Sequence, residues 1–171
     1  MIKKLKNSVP LICLICGWAI GILLFYILNC FHVELPAYKH DTLTFKDVCT
    51  AIFSQIKLFI LVTLLGFSML SGILPPALVL IKSAYASFSC ALVYNCAVCA
   101  DSRGIRYFAF ALTSALICVF LTSSARLSHI FYTKVPHDKP TNILDYIARQ
   151  LFTVGFAIFA MIFYYTVSAV T

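Results

Sequence analysis

The chain has 171 residues, of which 62% are apolar and only 11% charged, with a mean hydropathy of +0.97. A soluble domain is about half apolar and about a quarter charged, so this composition excludes a soluble globular protein and a disordered one. The net charge of +7 comes from 13 Lys and Arg spread thinly along the chain. That pattern speaks for membrane orientation and against nucleic-acid binding.

A membrane span needs roughly 20 mostly apolar residues. Five windows qualify, and they predict an all-α, polytopic transmembrane bundle forming a single domain. The first runs from about Val9 to Phe31, behind Lys3, Lys4 and Lys6. Its apolar stretch exceeds a signal-peptide core, and only NCFHVELPA follows, without an A-x-A-like site. It is therefore expected to stay as an uncleaved span. An outer segment, His32 to Thr50, comes next. Leu43, Phe45, Val48, Ile52, Phe53 and Ile56 recur at helical spacing there. That spacing fits either an interfacial helix or an early start of span two.

Span two is predicted from about Ile52 to Leu74 and span three from about Pro76 to Val98. A cluster of small and breaking residues joins them: Gly66, Ser68, Ser71, Gly72, Pro75 and Pro76. The expected arrangement is a tight hairpin turned at Ile73-Leu74-Pro75-Pro76, the alternative being a broken or re-entrant element that lines a cavity. Small residues four apart let helices approach closely in lipid, and Ser83 and Ser87 have that spacing. Gly66, Ser68, Gly72, Ser83 and Ser87 therefore form the predicted face for helix contact or for a partner. Span four is predicted from about Tyr107 to Phe131. Span five, from about Tyr146 to Ala169, is expected to be capped by Asn142.

With the N-terminus inside, eight basic residues (Lys3, Lys4, Lys6, Lys82, Arg126, Lys134, Lys139, Arg149) fall on the cytoplasmic side. Five (Lys39, Lys46, Lys57, Arg103, Arg106) fall outside. The expected topology is N-in, C-out. All six acids, Glu34, Asp41, Asp47, Asp101, Asp138 and Asp145, lie in predicted loops. Proton- and cation-coupled transporters usually hold a carboxylate in the membrane, so that class is disfavoured; a path for an anionic or neutral solute is not. Lys57, Lys82, Arg126 and Arg149 lie within the apolar windows. They read as snorkelling anchors, or, for Lys82 and Arg126, as a pair that meets to contact an anion or a partner's carboxylate.

The search for chemistry yields little. Most of the eight cysteines fall in spans, where Cys packs as a small hydrophobe. Cys96 and Cys99 form a lone C-x-x-C without the further ligands of a zinc site. No metal site and no cofactor is expected. Gly66-Phe67-Ser68-Met69 is similar to the serine motif of intramembrane proteases, but that chemistry needs a histidine at depth. His129 is the only candidate.

Residues 45 to 95 carry a resemblance. Phe53-Ser54-Gln55-Ile56-Lys57 leads to Gly66-Phe67-Ser68, then to the Gly72 to Pro75 break, then to Lys82-Ser83-Ala84-Tyr85-Ala86-Ser87-Phe88. This order resembles the stage II sporulation protein M family of endospore-forming bacteria, small proteins of five or six spans. The family's break is more compact, and its two small positions after the lysine are usually Gly, where this chain has Ser83 and Ser87. The resemblance implies a non-catalytic scaffold of the bacterial cytoplasmic membrane. It would sit among lipid and anchor two membrane-bound peptidoglycan hydrolases that remodel septal wall during engulfment. The alternative is a transporter or permease subunit for an anionic or neutral solute.

Overall fold

The computed structural model describes residues 8–31, 45–98, 104–135 and 140–170. Several expectations fall outside them: the N-terminal lysines, most of the outer segment, Glu34, Asp101, Arg103, Cys99 and the loop at 136–139. The described chain is helical: α1 (Val9–Cys30), α2 (Phe45–Leu65), a short 3-10 turn (Met69–Gly72), α3 (Leu74–Val98), α4 (Gly104–Lys134) and α5 (Pro140–Val170). Each of the five α-helices is long and apolar enough to cross a membrane. Lipid offers backbone groups no hydrogen-bond partner, and a helix satisfies them all within one segment.

The boundaries decide one open point of the sequence reading and correct two others. α2 is one continuous helix from Phe45, so the apolar periodicity around Val48 belongs to a span that starts early. It stops at Leu65, nine residues before the expected end. There the N–H groups of Gly66, Phe67 and Ser68 each reach back three residues, to Thr63, Leu64 and Leu65, all at 3.1 Å. Such i-to-i−3 bonds tighten and close a helix end. Ser68 is extended, donates its hydroxyl to the Leu65 carbonyl at 3.0 Å, and accepts from Leu70 N–H at 3.3 Å, which starts the 3-10 turn. The hairpin thus bends at residues 66–73. Pro75 and Pro76 are already in the first turn of α3, where a missing N–H costs nothing. At α5 it is Pro140, not Asn142, that opens the helix; Asn142 lies within the first turn.

α4 is the axis of the bundle. α1 and α3 form the most extensive helix pair, and α3, α5, α2 and α1 all touch α4. Leu121, Ser124, Ala125 and Ser128 of α4 have no exposed surface, an i, i+3, i+4, i+7 stripe turned fully inward. Leu121 and Ala125 pack with Phe59 and Val62 of α2, Val79 of α3 and Ala157 of α5. The outward faces carry large apolar residues such as Leu64, Leu151, Phe152, Phe159 and Ile162, as a lipid-facing surface requires.

Candidate functional site

Small residues make one of three polar or close-packed places in the bundle. α1 carries Gly17-Trp18-Ala19-Ile20-Gly21, a glycine pair four apart, and both glycines are buried. A Cβ on Gly17 would run into the Ser83 hydroxyl and come within 2.5 Å of the Leu80 carbonyl oxygen. A Cβ on Gly21 would collide with the Ser87 hydroxyl and the Ala84 carbonyl. Gly17 and Gly21 therefore lie directly on the backbone of α3. Ser83 and Ser87 turn their hydroxyls to the carbonyls of their own helix, Leu80 at 3.0 Å and Ala84 at 3.1 Å. No polar atom crosses by these serines; the seam is a van der Waals contact between small residues. Ser83 and Ser87 thus meet α1 of the same chain, and their surface is covered.

The second place is a polar knot between α2, α4 and α5. Gln150 is 1% exposed. Its amide nitrogen shares its two protons among the Ser124 carbonyl at 3.1 Å, the Ser128 hydroxyl at 3.2 Å and the Tyr146 hydroxyl at 3.1 Å. Its oxygen accepts from the Ser124 hydroxyl. Ser128 Oγ donates to the Val62 carbonyl at 2.8 Å, and the Tyr146 hydroxyl donates to the Thr63 carbonyl at 2.8 Å. Phe131 stacks on the Tyr146 ring at 4.3 Å, with Phe67 edge-on to both. Gly66 is where this phenol needs room: a Cβ there would meet the Tyr146 ring. Gly72 faces His129, whose Nδ1 lies 3.6 Å from where a Cβ would be. Ser68 has its hydroxyl committed to the turn described above.

The third place is a cavity of about 180 Å³ bounded by α2, α3, α4 and α5. Lys82 and Gln55 line it, over a floor that includes Ala86, Thr113, Ile117 and Met161. Lys82 Nζ sits over the Tyr85 ring, 5.8 Å from its centre. Arg126 is not there. It lines a separate surface pocket with Pro10 and Leu11 of α1 and Thr122 and Ser123 of α4. The expected Lys82–Arg126 pair is therefore corrected: the two cations face different sides of the bundle. Arg149 pairs with Asp145 at 3.0 Å on the exposed face of α5, and Lys57 lies over Phe53. Among the described residues, no three His, Cys, Asp or Glu side chains come together as metal ligands would.

Two of these places are legible in the sequence. The glycine pair on α1 was plain in the sequence. So were two serines four apart on one span and Tyr146 and Gln150 four apart on the next, which put polar groups on facing stripes. Gln55 gave no signal, since a lone glutamine near a span end reads as interfacial.

These features define a multi-pass α-helical membrane protein with a filled centre. No family model matches the chain, and neither does any curated protein or solved structure.

Proposed function

We propose that this chain is a non-catalytic scaffold of the bacterial cytoplasmic membrane that holds membrane-anchored peptidoglycan hydrolases together during engulfment. The reading rests on the resemblance over residues 45 to 95 to the stage II sporulation protein M family. One structural observation supports it most: α4 fills the centre of the bundle with side chains at zero exposure, and the hydroxyls of Ser124, Ser128 and Tyr146 there are bonded to Gln150 or to backbone carbonyls. Ser68, the nucleophile an intramembrane protease would need, spends its proton on Leu65. Such a molecule is built to keep its shape while others do the chemistry.

The test is complementation joined to purification. The gene is placed in an endospore former lacking its own stage II sporulation protein M, and engulfment is scored by membrane-dye microscopy. The tagged chain, solubilised from its own host, is assayed for release of muropeptides from purified sacculi. Restored engulfment and co-purifying muralytic activity are the expected results. Absence of both overturns the reading.

A second reading, a transporter or permease subunit for an anionic or neutral solute, draws on the Lys82 cavity. Uptake of labelled solutes into proteoliposomes holding the purified chain separates it from the first.

A further inference from the structure

Lys82 lies eight residues into α3, about 12 Å along the axis from its first residue, and sixteen residues short of its other end, about 24 Å. On α4 its cavity reaches Ile117, near the middle of a 31-residue helix. An ammonium at such depth is costly and marks a functional site by default. No carboxylate is among the residues that line the cavity. The aromatic ring of Tyr85 gives the cation a weak partner at 5.8 Å, too little to stand in for a counter-charge.

The cavity has a direction. α2 and α3 touch only sparingly, and the cleft lies between them. Its floor residues Ala86, Thr113, Ile117 and Met161 are buried, whereas Tyr85 is 67% exposed. The mouth therefore opens sideways, past Tyr85, towards lipid. The volume equals about six waters at their liquid share of space. Thr113 has already given its proton to the Ala160 carbonyl, 3.3 Å away. Gln55 is different: its Oε1 is buried and accepts no hydrogen bond. A buried acceptor without a donor is a standing penalty.

Gln55 Oε1 does not accept from Lys82 across the cavity, so the two demands stand separately. Lys82 needs a negative acceptor, and Gln55 Oε1 needs a donor. We propose that this cavity binds a phosphate ester that carries an ammonium or hydroxyl group beside the phosphate. The phosphate oxygens accept from Lys82 Nζ, and the neighbouring N–H or O–H donates to Gln55 Oε1. Phosphate is the anion that a lipid-facing mouth meets. The headgroups of phosphatidylethanolamine and phosphatidylglycerol carry this chemistry, as do free phosphoethanolamine and glycerol phosphate. Ile117, Met161 and Ala86 give the rest of such a molecule an apolar bed. The site stands independently of the scaffold reading.

The full-length chain is purified, delipidated in detergent and titrated separately with phosphatidylethanolamine, phosphatidylglycerol, phosphatidylcholine, phosphoethanolamine and glycerol phosphate. Native mass spectrometry counts bound molecules. Phosphatidylcholine is the informative control, because its quaternary ammonium has no N–H for Gln55. The expected result is one bound ethanolamine or glycerol ester per chain, with phosphatidylcholine at least tenfold weaker. Lys82→Met weakens binding at least tenfold, and Lys57→Met leaves it unchanged. Gln55→Leu abolishes the preference for phosphatidylethanolamine over phosphatidylcholine. Saturation by the soluble esters assigns the site to a free solute, and saturation by lipids alone assigns it to the membrane. Equal binding by wild type and Lys82→Met overturns the proposal, as does phosphatidylcholine binding as tightly as phosphatidylethanolamine. Should Lys82→Met fail to fold, the headgroup preference of wild type, and its loss in Gln55→Leu, decide the matter.

Discussion

The α1–α3 seam and the α2–α4–α5 knot hold helices together by opposite means. In the seam, Gly17 and Gly21 bring α1 onto the backbone of α3, and the serines opposite keep their protons for their own helix. In the knot, Gln150, Tyr146, Ser124 and Ser128 reach across helices to one another and to the carbonyls of Val62 and Thr63. The comparison teaches why both are needed. Lipid tails are as apolar as leucine, so burying leucine gains nothing, and only close packing or hydrogen bonding rewards contact. The seam uses the first and is intolerant of volume. The knot uses the second and is intolerant of losing a partner.

The largest effect should come from adding volume to the seam. Gly21→Leu puts a side chain into the Ala84 carbonyl, a backbone atom that cannot step aside. A loss of about 3 kcal/mol, the upper end of overpacking costs, is expected in reversible unfolding in mixed SDS micelles. Hydrogen exchange should quicken along α1 and leave α5 protected. Ser83→Leu presses on Gly17, one turn along the same seam, and should act in the same direction.

Removing the centre of the knot should cost less. Gln150→Leu strands the Ser124 hydroxyl and takes a donor from Ser128 and Tyr146, and the expected loss is about 1.5 kcal/mol, near the maximum for hydrogen bonds between membrane helices. Tyr146→Phe keeps the Phe131 stack and loses the bond to Thr63 and the one accepted from Gln150, for about 1 kcal/mol. A double-mutant cycle sharpens the contrast. Tyr146→Phe and Gln150→Leu share partners and should couple, whereas Tyr146→Phe and Gly21→Leu act in separate regions and should add.

The smallest effect is the sharpest test of the seam. Ser83→Ala and Ser87→Ala remove hydroxyls that bond only within α3, so each should change stability by under about 0.5 kcal/mol. A loss as large as that of Gln150→Leu would mean that the seam is polar after all.

Composition determined that the chain belongs in a membrane, and five apolar windows of about 20 residues determined that it crosses as helices, which satisfy their backbone groups within one segment. The small residues at 66, 72, 83 and 87 were recognisable as contact positions, since close approach in lipid selects for small side chains. Which helix would approach them was not. Ser83 and Ser87 pair with α1, about 65 residues away in sequence, and a stripe on one helix carries no information about its mate. The end of α2 at Leu65 was also hidden, because Gly66 to Ile73 carries no charge and still holds Phe67, Met69, Leu70 and Ile73. The turn is set by the i-to-i−3 bonds and the Ser68 cap. Only the tertiary structure separated Lys82 from Arg126 and brought Lys82 and Gln55 to one cavity. Hydropathy measures depth along a helix; it is the rotation of each helix about its axis, fixed by packing against α4, that decides which side chains meet.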